Sequence, residues 1–284
     1  MNVKNYGVHI TFLTAICVAG NAIITMPFFT SQNPILTVLL CCGITFAVTL
    51  IALPIINYAF NTKSLWFYIV AAVIAAVSLY GAASAFSEYI RFLNTVQLKC
   101  NRTLYILLLI IVVTAITFCS NSAFLKLGLL FGIMSTVLMV ILFVVPSNIY
   151  SIQDIRITPI VPEFKDAAKH FLKYFSPMLS AVAFAAIAKK QARFCSISAG
   201  VGMGLALVLL CTLQSLFVLG GSAADYKFPY LAAISAFSSG QIYIRLDGFI
   251  WFVFFAASTI KTALCTKTVW LIIKRILKPK TVSP

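Results

Sequence analysis

Acid is what this chain has least of. Its 284 residues include six Asp and Glu together, against 21 Lys and Arg, and only two histidines. With so few acids, each one near an apolar stretch counts. His9 and His170 are far apart in sequence, and neither has an obvious acid and nucleophile partner, so no catalytic constellation emerges. No Gly-rich phosphate loop followed by Lys-Ser/Thr occurs either, and the chain does not read as an enzyme. Cysteine is present, eight times in all, but never as C-x-x-C or beside histidine. Most of the cysteines (Cys17, Cys41, Cys42, Cys119, Cys211, Cys265) lie inside apolar runs and read as small packing residues, not as a disulfide framework or metal site. The adjacent pair Cys41-Cys42 also admits a redox-sensitive reading. No cofactor is implied.

Charge of either sign is scarce. Only 10% of residues are Asp, Glu, Lys or Arg, where a soluble globular domain carries about 25%. The net charge of +15 comes from basic residues scattered through short loops and the C-terminal tail, with no aromatic-interleaved patch or groove-reading helix. Nucleic acid is therefore not an expected partner, whereas Lys and Arg in short loops are what orient a membrane protein.

What the chain has instead is apolar length. Hydrophobic residues make up 62% of it, in runs long enough to cross a hydrocarbon core as helices. The reading is a single all-α domain over residues 1–284, a polytopic membrane helix bundle of about eight transmembrane helices. The expected spans are His9–Phe29 and then, in approximate bounds, Ile35–Tyr58, Leu65–Phe86, Leu104–Cys119, Phe124–Val145, Phe171–Ala188, Ile197–Leu219 and Leu246–Ile273. Residues 146–169 read as a structured polar loop, and the apolar stretch 228–239 is too short to cross, so it reads as a surface or re-entrant half-helix. Gly200, Gly202 and Gly204 suit tight helix packing. An even number of spans puts both termini on one side. The basic tail 274–284, with Lys189, Lys190 and Arg193, places that side in the cytoplasm.

The first run is apolar throughout yet carries Ala19-Gly20-Asn21-Ala22 at its centre. Glycine is a weak helix former and Asn competes for its own backbone, which predicts unwinding there. Inside a bilayer, freed backbone groups survive only where they line a cavity or ligand, so residues 19–22 become one wall of a small-molecule site. Two other readings stand beside this one. Gly20-Asn21 fits a close-packing point in a continuous span, and the small residues also fit a signal-peptide cleavage site, although the apolar run continues past it.

Few charges fall in or near spans. Glu88 and Asp247 sit at expected span ends, where anchoring or packing competes with proton transfer as a role. Arg245-Leu246-Asp247 opens the last span, with its acid in a first helical turn. Lys261 lies about 22 Å beyond Leu246 at helical rise, too deep for easy snorkelling. It needs a partner, such as the carbonyls of a broken helix, or it becomes neutral. Asp247 is about 21 Å from it and out of reach. Lys126 in the fifth span is either an interfacial lysine or an ammonium standing where a coupling cation would bind.

With these residues laid out, the chain resembles the B subunits of bacterial spore germinant receptors, the endospore germination permease family of the amino acid–polyamine–organocation superfamily. The resemblance rests on Phe228-Pro229-Tyr230, Arg245-Leu246-Asp247 and Lys261, with weaker echoes in Ser87-Glu88-Tyr89-Ile90, Asn121 to Lys126 and the first span ending at Pro27. It implies a LeuT-like inverted-repeat transporter fold with an amino-acid site between broken helices. The walls of that site would be Gly20, Asn21 and Ala22, Tyr80 and Ser84, Ser176 and Ser180, and Ser258 and Thr259. It also implies a germinant sensor in the spore inner membrane, assembled with an A subunit and a lipoprotein C subunit. The family pattern has ten spans, a tryptophan where Phe254 stands here and an acid in the sixth span. This chain runs out after the eighth span and lacks the other two features. A proton-coupled amino-acid permease and a non-transporting scaffold subunit are the alternatives.

Overall fold

The computed structural model describes residues 3–24, 34–62, 65–95, 102–144, 164–189, 194–226, 228–238 and 247–277. Among the described residues there are nine α-helices, one 3-10 turn and no strand. They are α1 (Val3–Ile24), α2 (Pro34–Thr62), α3 (Leu65–Thr95), α4 (Arg102–Phe118), α5 (Asn121–Val144), α6 (Phe164–Lys189), α7 (Phe194–Leu219), the turn Gly220–Asp225, α8 (Pro229–Ser238) and α9 (Asp247–Leu277). Six of them contain stretches long and apolar enough to cross a membrane: Ile35–Thr62, Leu65–Asn94, Asn121–Val144, Phe171–Ala188, Phe194–Leu219 and Gly248–Leu277. Tyr6–Gly20 and Arg102–Phe118 are shorter apolar helices. This is a multi-pass helical membrane protein.

Local chemistry marks the helix ends. Pro34 and Pro229 stand first in α2 and α8, where a missing N–H costs no hydrogen bond. The Ser120 hydroxyl accepts the Ala123 N–H at 3.2 Å and caps the start of α5. Gly220, at φ 54°, takes the left-handed conformation that ends α7. Carbonyls at three helix ends are met by side chains from other helices, as they must be away from water. Lys267 Nζ donates to the carbonyls of Thr117 (2.9 Å) and Cys119 (2.6 Å) at the end of α4. Arg275 Nη2 donates to the Phe60 carbonyl of α2 at 2.6 Å, and Gln214 Nε2 to the Leu142 carbonyl of α5 at 2.6 Å.

α1 lies at the centre, packed against α5, α6, α7 and α9. Lipid offers no hydrophobic drive for helices to associate, so close backbone approach and dispersion must hold them. Two small-xxx-small faces provide that approach. A Cβ placed on Gly128 or Gly132 of α5 would lie 2.6 Å from Leu13 Cδ1 or 2.8 Å from the Phe12 carbonyl. On Gly200 or Gly204 of α7 it would lie 2.6 Å from the Thr11 carbonyl or the Val18 Cβ. α6 and α9 are largely buried, whereas α2, α3 and α5 turn most of their apolar side chains outward.

Four expectations need correction. Residues 19–22 are not unwound: α1 is one continuous helix from Val3 to Ile24. A Cβ on Gly20 would lie 2.6 Å from the Ala257 Cβ of α9, so this glycine serves close packing. Residues 164–169, assigned to the polar loop 146–169, are the first turns of α6, and the rest of that loop lies outside the described residues. α3 is helical to Thr95, so the span expected to close near Phe86, with Glu88 at its interfacial end, continues through Glu88. Lys274 and Arg275, assigned to the basic tail 274–284, belong to the last turn of α9.

Candidate functional site

α3, α6 and α9 meet along a polar seam. Ser78, Gly81, Ser84 and Glu88 recur at helical spacing on α3, as do Lys173, Ser176 and Ser180 on α6, and Ser258, Lys261 and Cys265 on α9. α3 runs antiparallel to the other two. Ser78 therefore meets Ser180, while ten residues further along α3 Glu88 meets Lys173.

The centre of the seam is an ion triad. Glu88 is 2% exposed and Lys261 is wholly buried, while the Lys173 side chain retains 22% exposure. Glu88 Oε1 lies 3.3 Å from Lys173 Nζ, and Oε2 lies 3.9 Å from Lys261 Nζ. The Ser84 hydroxyl donates to Oε1 across a long 3.5 Å. Buried charges persist only when paired, and here one carboxylate serves two ammonium groups.

Each helix places one hydroxyl a turn from its charge: Ser84 before Glu88, Ser176 after Lys173 and Ser258 before Lys261. Ser176 and Ser258 are fully buried, and their hydroxyls have no hydrogen-bond partner among the described residues. Buried hydroxyls are normally satisfied, so two unused ones beside a charged cluster mark a place equipped for a polar guest. The Thr259 hydroxyl is also buried and unpartnered, but two residues from Lys261 it projects from nearly the opposite side of α9.

Below the triad the seam closes. The Ser180 hydroxyl donates to the Ser176 carbonyl at 2.8 Å, so Ser78 must be the donor in the 2.8 Å Ser78–Ser180 contact. Thr268 donates to the Ser180 carbonyl at 3.2 Å, and Ser180 contacts Cys265 Sγ at 3.5 Å. Above the triad lies an aromatic layer. Phe92 stacks on Phe254 with centroids 3.9 Å apart, Tyr89 stacks on the same ring at 5.9 Å, and Trp251 and Phe228 meet Phe92 edge-on at 4.8 and 5.7 Å. Such layers exclude water from the charges between them.

The structure thus gathers Ser84, Glu88, Ser176, Ser180, Ser258 and Lys261 in one seam. It places other candidates elsewhere. Tyr80 is 45% exposed on the outer face of α3 and does not wall the seam. Gly20 reaches α9 at Ala257, next to Ser258, but as a closed contact. Asn21 and Ala22 are helical residues of α1. Lys126 is exposed on α5, and Asp247 is the first residue of α9. Arg245 lies outside the described residues. A cavity of about 670 Å³ sits apart from the seam, between α5 and the start of α9, and is lined by apolar side chains such as Met134, Val137, Phe249 and Phe252.

Sequence reading gave Lys261 no partner and did not weigh Lys173. The available signal was arithmetic: a buried lysine needs an acid, and Asp247 is out of reach. Glu88 reads as interfacial from the sequence because the apolar run of span three closes near Phe86, before it. No model of a known protein family matches this chain, and no characterised protein matches its sequence.

Proposed function

We propose that this chain is a permease-like membrane subunit that binds a small nutrient, an amino acid, at the Glu88–Lys261 seam and reports its presence by a change in helix packing. The observation that carries the reading is one buried carboxylate between two lysines, flanked by two buried hydroxyls that have no hydrogen-bond partner among the described residues. A carboxylate would balance Lys261 and accept hydrogen bonds from the Ser176 and Ser258 hydroxyls, while Glu88 would meet an ammonium group. Burying such charges without a ligand to recognise carries a desolvation cost that apolar packing would avoid.

The resemblance to germinant-receptor B subunits supplies the setting. On that reading the chain works in the spore inner membrane beside an A subunit and a lipoprotein C subunit, with both termini cytoplasmic. The shorter helices α1 and α4 then complete a set of eight spans drawn from an inverted-repeat fold.

The test is titration of the purified full chain in lipid nanodiscs with the twenty L-amino acids, followed by isothermal calorimetry. At least one should bind, and Lys261→Met should weaken it by about 100-fold, the effect of removing one partner from a buried charge pair. Binding unchanged in Lys261→Met would reject the site, and no binding by any of the twenty would reject an amino-acid ligand.

A further inference from the structure

We infer that Glu88 is a built-in stand-in for the ligand's own carboxylate, holding Lys261 while the site is empty and giving it up to an arriving carboxylate. The inference deepens the proposed function and rests on it for the identity of the site.

Three observations point this way. First, the two contacts of Glu88 are unequal: 3.3 Å to Lys173 through Oε1, but 3.9 Å to Lys261 through Oε2, at the outer limit of an ion pair. The grip on Lys261 is the looser one, and Glu88 keeps a partner when it lets go. Second, Lys173 retains 22% exposure and Lys261 none, so the pair that survives displacement is the better solvated one. A guest therefore need not strand a buried acid. Third, Ser258 stands one turn from Lys261 and Ser176 one turn from Lys173, both buried and both with an unused hydroxyl. Glu88 uses neither, so a second carboxylate would find donors that the resident one leaves idle.

An amino acid carries the same two charges as the pair it opens. Inserted in series, its carboxylate faces Lys261 and its ammonium faces Glu88, which remains on Lys173. The charges then alternate along the seam, and no buried group loses its counter-ion. The ligand class that follows is the small zwitterion. A plain carboxylate satisfies Lys261 but leaves Glu88 facing it with like charge, and an amide or amine brings no carboxylate to Lys261.

The test uses Glu88→Gln in the full chain in nanodiscs, with acetate as a probe that does not depend on knowing the ligand. Removing the stand-in should lower the melting temperature, and 10 mM sodium acetate should restore it where 10 mM sodium chloride does not. Adding Lys261→Met to Glu88→Gln should abolish the acetate effect. For the amino acid bound most tightly by the wild type, its des-amino carboxylate should bind Glu88→Gln at least 10-fold more tightly than it binds the wild type. If Glu88→Gln fails to fold, Glu88→Asp retains the charge with a shorter reach and should bind that des-amino carboxylate more tightly than the wild type does. Acetate and chloride acting alike on Glu88→Gln, or des-amino carboxylate binding weakened by Glu88→Asp, would overturn the inference while leaving the site itself standing. Absence of amino-acid binding together with acetate rescue would sustain the stand-in role and remove only the amino-acid assignment.

Discussion

Replacing Gly20 with alanine tests the centre of the fold. Carbon atoms in good contact sit about 3.5–4.0 Å apart, whereas the new Cβ would lie 2.6 Å from the Cβ of Ala257. That neighbour is fixed to the α9 backbone and cannot rotate away, so α1 and α9 must separate along their shared face. Overpacking of this kind costs about 1–3 kcal/mol, and the stiffness of the contact points to the upper half of that range. Alanine's better helix propensity returns about 1 kcal/mol, leaving a net loss of about 1–2 kcal/mol. Ala257→Gly removes the obstructing methyl group, so adding it should recover most of the loss, with a coupling of about 1–2 kcal/mol. The measurement is reversible unfolding of the full chain in lipid bicelles by SDS titration, followed by circular dichroism for the wild type, both single variants and the double variant. An unwound, open segment at residues 19–22 has no such coupling. Additivity within about 0.5 kcal/mol would refute the packed α1–α9 contact.

Two further predictions use the same assay. Lys267→Met leaves the Thr117 and Cys119 carbonyls of α4 without their donor and should cost about 2–4 kcal/mol, while Lys274→Met, at an exposed position on the same helix, should stay within about 0.5 kcal/mol of the wild type. Equal effects would show that Lys267 does not cap α4. Gly204→Val forces a side chain against Val18 and the Ala15 carbonyl and should cost about 2–3 kcal/mol. Gly202→Val, two residues away with open space around it, should be neutral or slightly stabilising. The reverse order would mean that α7 presents a different face to α1.

What the sequence made legible and what it hid divide along a physical line. Membrane class, most helix positions and the short α8 follow from apolar length, which is a local property. So does the tight packing of Gly200 and Gly204, since the spacing of small residues shows a face even without its partner. Gly20 exposes the limit of that reasoning. Its low propensity argues for a break only when nothing rewards a continuous helix, and α9 rewards it by packing Ala257 where a side chain would have stood. Glu88 and Lys261 show a second limit. They lie 173 residues apart, and no periodicity connects them. Ending span three near Phe86 placed Glu88 in an interface, but α3 continues to Thr95 and carries that acid inside the bundle.

Three of the four cations of α9 show where motion is permitted. Lys267 and Arg275 bind the carbonyls of helix ends, and releasing either exposes backbone groups that only that helix's refolding could satisfy. Those contacts therefore lock α4 and α2 in place. Lys261 binds a side-chain carboxylate that has a second cation to turn to. Its contact can open by rotation of the Glu88 side chain alone, with every helix intact. A membrane bundle held by glycine contacts tolerates little backbone displacement, so a signal that begins with a bound ligand must begin where side chains exchange partners. On the function proposed here that place is the Glu88–Lys261 pair. The stacked Tyr89, Phe92 and Phe254 rings directly above it are the first packed layer that such an exchange would disturb.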